Sequence, residues 1–257
     1  MPQYIPQKHI MIKKHIPNTV TLSNLLCGCL ALLSILTNQI EWVPIFITIS
    51  LLADYFDGLI ARLLKVSSPV GRELDSLADM VSFGVVPGMM LFYLINEAKA
   101  IEQINFEDSS TFLGLLGFSV TIFSCLRLAK FNLDTRQTEG FVGLNTPACT
   151  IFVLGLLLMA HNNLYNLHDL IVNEVLLIPI ALVLSYLLIA EIPMFSFKFK
   201  SLELKGNKIR LSFILVVVLC LLLFDLGAAL SLIILCYVLI SVVLWMMGAL
   251  KREKRAF

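Results

Sequence analysis

Charge is scarce in this chain. Asp, Glu, Lys and Arg make up 14% of its 257 residues, against ~25% in an ordinary soluble domain, which excludes a soluble fold with a solvated polar surface. Once the cations are assigned to helix flanks, no basic cluster remains for a nucleic-acid partner, and none is expected. Cysteine chemistry is missing as well. Cys27, Cys29, Cys125, Cys149, Cys220 and Cys236 all fall in apolar runs without a CxxC spacing, so they read as reduced thiols acting as small apolar residues. The four histidines are scattered over loops and termini, which speaks against a histidine-based zinc site. Residues 1–17 show neither the apolar core nor the cleavage site of a signal peptide. Repeats and low-complexity linkers are also absent, so residues 1–257 are expected to form one domain.

What remains is apolar. Hydrophobic residues make up 58% of the chain and the mean hydropathy is +0.89, the signature of an all-α polytopic membrane bundle. Eight hydrophobic spans are expected, near 20–37, 42–64, 80–96, 111–131, 147–163, 174–193, 211–225 and 227–249. The last two are separated only by the turn Phe224-Asp225-Leu226-Gly227. An even number of spans puts both termini on one side, and 18 of the 19 Lys and Arg fall there, leaving Lys99 opposite. By the positive-inside rule that side is cytoplasmic, which fits the inner membrane of a cell. The basic segment 1–17 is expected to lie on the membrane surface or to form a tail drawn to anionic lipid, and 250–257 is a second basic tail.

Against this background the stretch from Asp54 to Asp79 stands out. It reads Asp54-Tyr55-Phe56-Asp57-Gly58-Leu59-Ile60-Ala61-Arg62, then Ser67-Ser68-Pro69, Gly71, Asp75 and Asp79. Carboxylates three and four residues apart share a helix face, and the break at Ser67 to Gly71 lets the two acidic faces meet. Four such charges at membrane depth repel and lose hydration, at several kcal/mol each. Divalent cations remedy this, and all-oxygen ligation suits Mg²⁺, Mn²⁺ or Ca²⁺ rather than zinc. Two ions shared by four carboxylates form the clamp that serves phosphoryl transfer. Asp54 lies about 12 Å inward of Arg62 along its helix, so the site sits below the cytoplasmic surface, at a depth a lipid headgroup can reach.

The pattern D-x2-D-G-x2-A-R-x8-G-x3-D-x3-D, matched by Asp54, Asp57, Gly58, Ala61, Arg62, Gly71, Asp75 and Asp79, resembles the signature of the CDP-alcohol phosphatidyltransferase family. The resemblance implies that family's helical core and metal ligation by Asp54, Asp57 and Asp75. It further implies that Asp79 completes a second metal site and acts as general base on the acceptor hydroxyl. It also implies CDP-diacylglycerol as donor, with contacts from Asn18 and Thr21 at the first helix start and from Ser68 and Gly71 in the connector, and a homodimer. Three further segments resemble the phosphatidylserine-forming branch: Cys125 to Asn132, with Lys130 in place of an arginine, Phe141 to Ala148, departing at Asn145, and Ile192 to Lys198. They imply transfer of the phosphatidyl group to L-serine, giving phosphatidylserine and CMP.

Several of these residues also have plainer readings. Asn18 or Thr19 would serve as a helix N-cap. Gly58 and Ala61 would permit close helix packing, but beside carboxylates they leave room for a nucleotide. Arg62 would anchor a helix end or pair with pyrophosphate. Arg127 and Lys130 flank a helix end; as acceptor-binding residues they would take a carboxylate, with Arg127 the bidentate fork and Asn132 bonding the ammonium or hydroxyl. Glu191 is either a partner for these cations or interfacial, and Asp225 is expected at an exposed outer turn. Two rivals stay open. One keeps the chemistry and changes the substrate, to glycerol 3-phosphate or inositol phosphate as acceptor or an archaeal ether lipid as donor. The other is a cation transporter with acidic residues along its path.

Overall fold

The computed structural model describes residues 7–66, 68–98, 109–133, 141–195 and 208–248. Ser67, Lys99 and the acidic stretch after it, Arg136, residues 196–207 and the basic tail lie outside the described residues, as do the side chains of Lys8, Lys13 and Lys14. The helices are α1 (Gln7–Leu36), α2 (Val43–Leu63), α3 (Pro69–Asp79), α4 (Val86–Ala98), α5 (Ser109–Leu115), α6 (Ser119–Leu133), α7 (Thr146–His161), α8 (His168–Ile171), α9 (Glu174–Ile189), α10 (Lys208–Leu223) and α11 (Leu226–Met246). The protein is an all-α, multi-pass membrane protein. Its strands, β1 (Phe141–Val142) and β2 (Pro193–Met194), form one antiparallel pair of two residues each among the described residues.

Five stretches are long and apolar enough to cross a bilayer: His15–Leu36, Ile40–Leu63, Pro69–Ala98, Thr111–Leu133 and Leu226–Met246. The other three expected spans correspond to α7, α9 and α10, of 16 residues each. At 1.5 Å per residue these reach about 24 Å, short of a ~30 Å hydrocarbon core. Local chemistry cuts two of them. The side chains of Asn145 and Asn173 cap the N-termini of α7 and α9, α7 gives way to Asn163 at φ 45°, and α9 stops at the extended Ala190. Asp225 is exposed at the α10–α11 turn, as expected.

Two boundaries differ from expectation. α1 runs through Pro17 from Gln7, so neither Asn18 nor Thr19 caps a helix; the stretch of α1 apolar enough to cross a bilayer begins at His15. A proline withdraws one N–H donor, which weakens a helix locally without ending it. The third span begins at Pro69, eleven residues earlier than the hydropathy suggests, because the polar α3 continues directly into α4 through a π-helical turn at Met80–Val85. This Pro69–Ala98 stretch is the centre of the bundle. Of its most apolar window 67% is buried, against 28–39% for the other four long spans. Met90, Leu91, Leu94 and Ile95 of α4 share one core with Ile35, Ile40 and Ile47 of the α1–α2 hairpin and with Val153 and Leu157 of α7.

Candidate active site

α2 ends in a tight reversal. The Val66 N–H donates to the Ala61 carbonyl (3.0 Å) and the Lys65 N–H to that of Arg62 (3.1 Å), with Lys65 at φ 52°, the paired bonds of a Schellman end. α3 then starts on a cap: Ser68 Oγ accepts from the Gly71 N–H at 2.9 Å, with Pro69 at the first helical position. Both helices pack on α1, and the reversal turns their acidic faces toward each other. One carboxylate oxygen from each of Asp54, Asp57 and Asp75 lies within 4.8 Å of the others. These three carboxylates supply a hard, all-oxygen donor set, which fits a divalent cation.

Two of the acids are also held from α1. Asp57 is buried, and Thr21 Oγ1 donates to its Oδ2 at 2.5 Å. Asp79 accepts from Asn24 Nδ2 at 3.2 Å. Directly after Asp79 the backbone widens into the π-helical turn, a feature common at functional sites. Two carbonyls of that turn are taken up by neighbouring helices: Thr150 Oγ1 of α7 donates to the Phe83 carbonyl (3.3 Å) and Thr121 Oγ1 of α6 to that of Gly84 (2.9 Å). Two hydroxyls from separate helices thus pin the turn that follows Asp79.

The acids separate two hollows that share Arg72 and Asp75. The first, of about 450 Å³, is lined by Asn18, Thr21, Asp57, Gly58, Ala61, Ser68 and Gly71 among others. The second, of about 460 Å³, is lined by Asp54, Asp79, Ser76, Arg127, Phe131, Asn132, Asn145 and Thr146 among others. Gly58 faces open space, for a Cβ added there meets nothing within 4 Å. Packing therefore does not require this glycine. Gly58→Leu is expected to leave the protein folded, with an unchanged or higher melting temperature because Gly is the poorer helix former by ~1 kcal/mol, while filling the first hollow and abolishing turnover. Circular dichroism melts beside a steady-state rate assay check both halves.

The floor of the second hollow depends on a contact between distant segments. β1 pairs with β2 in the register Phe141↔Met194, the Gly143 N–H donates to the Ile192 carbonyl (2.9 Å), and Gly143 adopts φ 77°. A Cβ at Gly143 would also stand 2.9 Å from the Leu188 and Ala190 carbonyls, so both conformation and space call for glycine here. This seats Asn145 and Thr146 beside Arg127. Arg127 is 8% exposed, its Nε has no hydrogen-bond partner among the described residues, and its guanidinium carbon lies 6.0 Å from the Phe131 ring centroid. Asn132 is braced to α3, its Nδ2 donating to Ser76 Oγ at 2.9 Å.

Most of the residues singled out in the sequence therefore come together, but two do not. Arg62 is exposed and lines neither hollow; its Nε donates to the Gly58 carbonyl of its own helix at 3.0 Å. At 100° per residue it stands about 140° round α2 from Asp57. Lys130 is exposed on α6, turned away from the buried stripe of Ser124, Arg127 and Leu128. Sequence reasoning missed Arg72, read only as a basic flank, and the buried polar trio Asn24, Ser50 and Ser82. The available signal for the trio was a polar residue within an apolar helix.

A multi-pass helical membrane protein with an acidic, cation-competent cluster between two polar hollows falls in the class of membrane enzymes that work on phosphorylated lipids. Residues 14–187 match the family model for CDP-alcohol phosphatidyltransferase, and the chain belongs to that family, whose members use divalent cations. Among curated relatives, the CDP-diacylglycerol--serine O-phosphatidyltransferase of Bacillus subtilis strain 168 is 37% identical over 134 residues, covering 52% of this chain and 70% of the relative. The protein of the same name from Methanocaldococcus jannaschii is 32% identical over 151 residues, 59% of this chain and 64% of the relative. That from Helicobacter pylori strain J99 is 31% identical over 144 residues, 54% of this chain and 55% of the relative, so the chain spans about half the length of that protein.

Proposed function

We propose that this protein, acting as one domain, transfers the phosphatidyl group of CDP-diacylglycerol to L-serine, releasing phosphatidylserine and CMP. The observation that carries the reading is the pair of hollows meeting at the carboxylates and sharing Arg72 and Asp75, one lined otherwise by Asp57 and by small or neutral residues, the other by the buried Arg127. The printed names of the relatives support the same substrates. Asp54, Asp57, Asp75 and Asp79 would hold two divalent cations, Mg²⁺ or Mn²⁺ ahead of Ca²⁺. Such ions, when bound, neutralise the pyrophosphate and make CMP a tolerable leaving group. The chain's own residues supply the rest. Asn18, Thr21, Gly58, Ala61, Ser68 and Gly71 form the nucleotide side.

Arg127 takes the serine carboxylate as a planar fork, and Asn132 takes the ammonium or hydroxyl. Asp79 accepts the hydroxyl proton as the serine oxygen bonds to the lipid-side phosphorus and the bond from that phosphorus to the CMP oxygen breaks. Positioning and electrostatics account for most of the rate. The strong bias of Lys and Arg to one side supports a cytoplasmic opening with both termini on that side of the cell membrane, and a homodimer completes the reading. Purified protein in CDP-diacylglycerol vesicles, offered serine, glycerol 3-phosphate or inositol phosphate, tests it through CMP release. Serine is expected to exceed both others by more than about 100-fold, since a phosphate dianion calls for more convergent cations than this pocket carries. Equal or faster release with a phosphorylated acceptor would overturn the assignment.

A further inference from the structure

We propose that Asn24 and Ser50 are positioning residues for Asp79, forming a relay that fixes the direction in which its carboxylate faces. Both are fully buried, on α1 and α2, and neither lines a hollow, so their effect on substrate has to pass through another group. Ser50 Oγ donates to Asn24 Oδ1; Asn24 Nδ2 donates to Asp79 Oδ1 at 3.2 Å. Ser82, in the π-helical turn three residues after Asp79, donates from Oγ to the Asn24 backbone carbonyl at 3.1 Å. α1 and this turn approach closely because residue 28 is glycine, where a Cβ would stand 3.0 Å from Ser82 Cα.

A side-chain amide has two orientations of nearly equal shape, with N–H₂ and C=O exchanged. Only one of them offers Asp79 a donor; the other sets two acceptor oxygens against each other in a poorly solvated place. The Ser50 hydroxyl, committed to Asn24 Oδ1, selects the productive one. Asn24 in turn holds Asp79 by one oxygen, with the carboxylate turned toward the second hollow that it lines. This inference rests on the reading of Asp79 as the proton acceptor.

The test uses the full-length protein in lipid vesicles, with Ser50→Ala, Asn24→Ala, the double variant and Asp79→Asn, each checked for an unchanged elution profile and melting temperature. Ser50→Ala and Asn24→Ala are expected to lower kcat roughly 10- to 100-fold, the loss typical of a hydrogen bond to a charged group, while the KM values for CDP-diacylglycerol and serine move less than about twofold. The double variant is expected to be no slower than Asn24→Ala alone, because Ser50 acts only through Asn24. Mn²⁺ affinity at the Asp54, Asp57 and Asp75 cluster of the substrate-free protein, read by electron paramagnetic resonance, should change less than about threefold, because the Asn24–Ser50 pair bonds Asp79 and not those three acids. A Ser50→Ala enzyme with wild-type kcat, losses that multiply in the double variant, a change confined to KM, or Mn²⁺ affinity falling in step with rate would each overturn the relay. Asp79→Asn separates the two levels. If it is inactive while Ser50→Ala is not, only the relay fails; if Asp79→Asn keeps wild-type kcat, the reading of Asp79 itself fails.

Discussion

Asp57→Asn is expected to lower CMP release on the order of 10³-fold, the scale seen when one electrostatic element of a preorganised site is removed, with little change in folding. The change is nearly isosteric. Thr21 still finds an oxygen at position 57 for the 2.5 Å hydrogen bond that ties α1 to α2, so the helix hairpin keeps its link. What is lost is one negative charge from three carboxylates whose oxygens lie within 4.8 Å. Removing a like charge from such a cluster relieves repulsion, so the melting temperature without added metal should stay level or rise. Activity and stability are thus expected to move in opposite directions, which a merely structural aspartate would not produce. Thermal unfolding in EDTA and CMP release in Mg²⁺, made on the same preparation, check both halves.

Arg127→Ala is expected to act on the acceptor instead. Truncating one partner of a buried, hydrogen-bonded charge pair costs about 2–5 kcal/mol, which lowers kcat/KM for serine by about 30-fold to several thousand-fold, with KM for CDP-diacylglycerol nearly unchanged. The buried Nε, without a partner among the described residues, is a donor that a substrate carboxylate would satisfy. Arg127→Lys keeps the charge but not the planar fork and should recover only part of the loss. Steady-state kinetics with each substrate varied in turn distinguish this pattern from a general defect. Wild-type constants for serine in Arg127→Ala would remove this residue from the acceptor site.

The acidic cluster was legible because its information is local. Residues three and four apart share a helix face, and the Ser-Ser-Pro break between the pairs leaves the chain one economical way to fold them together. The long spans were legible from hydropathy for the same reason. The start of the third was not, since α3 is polar on the side that forms the site, and its helical continuity with α4 depends on a π-helical turn with no signature in residue spacing. That turn is held by hydroxyls of Thr121 and Thr150, 37 and 67 residues away from their acceptors, a relation that exists only after the helices pack. Register decided Lys130. It stands three residues beyond Arg127, but about 60° further round α6 and away from Leu128, which puts it outside the buried stripe. Asn24, Ser50 and Ser82 were each visible as a polar residue in an apolar run, yet the bonds by which both serines meet on Asn24, and Asn24 reaches Asp79, are a tertiary fact.

The account stands on carboxylates that bind divalent ions in order to bind a liponucleotide, and chelation addresses it most directly. CMP release by the wild-type protein from CDP-diacylglycerol and serine is measured in excess EDTA, then after Mg²⁺ or Mn²⁺ is returned beyond the chelator. The expected result is loss of at least about 10³-fold of the rate, with full return on adding either ion. Fully chelated protein that goes on releasing CMP at its original rate would contradict it.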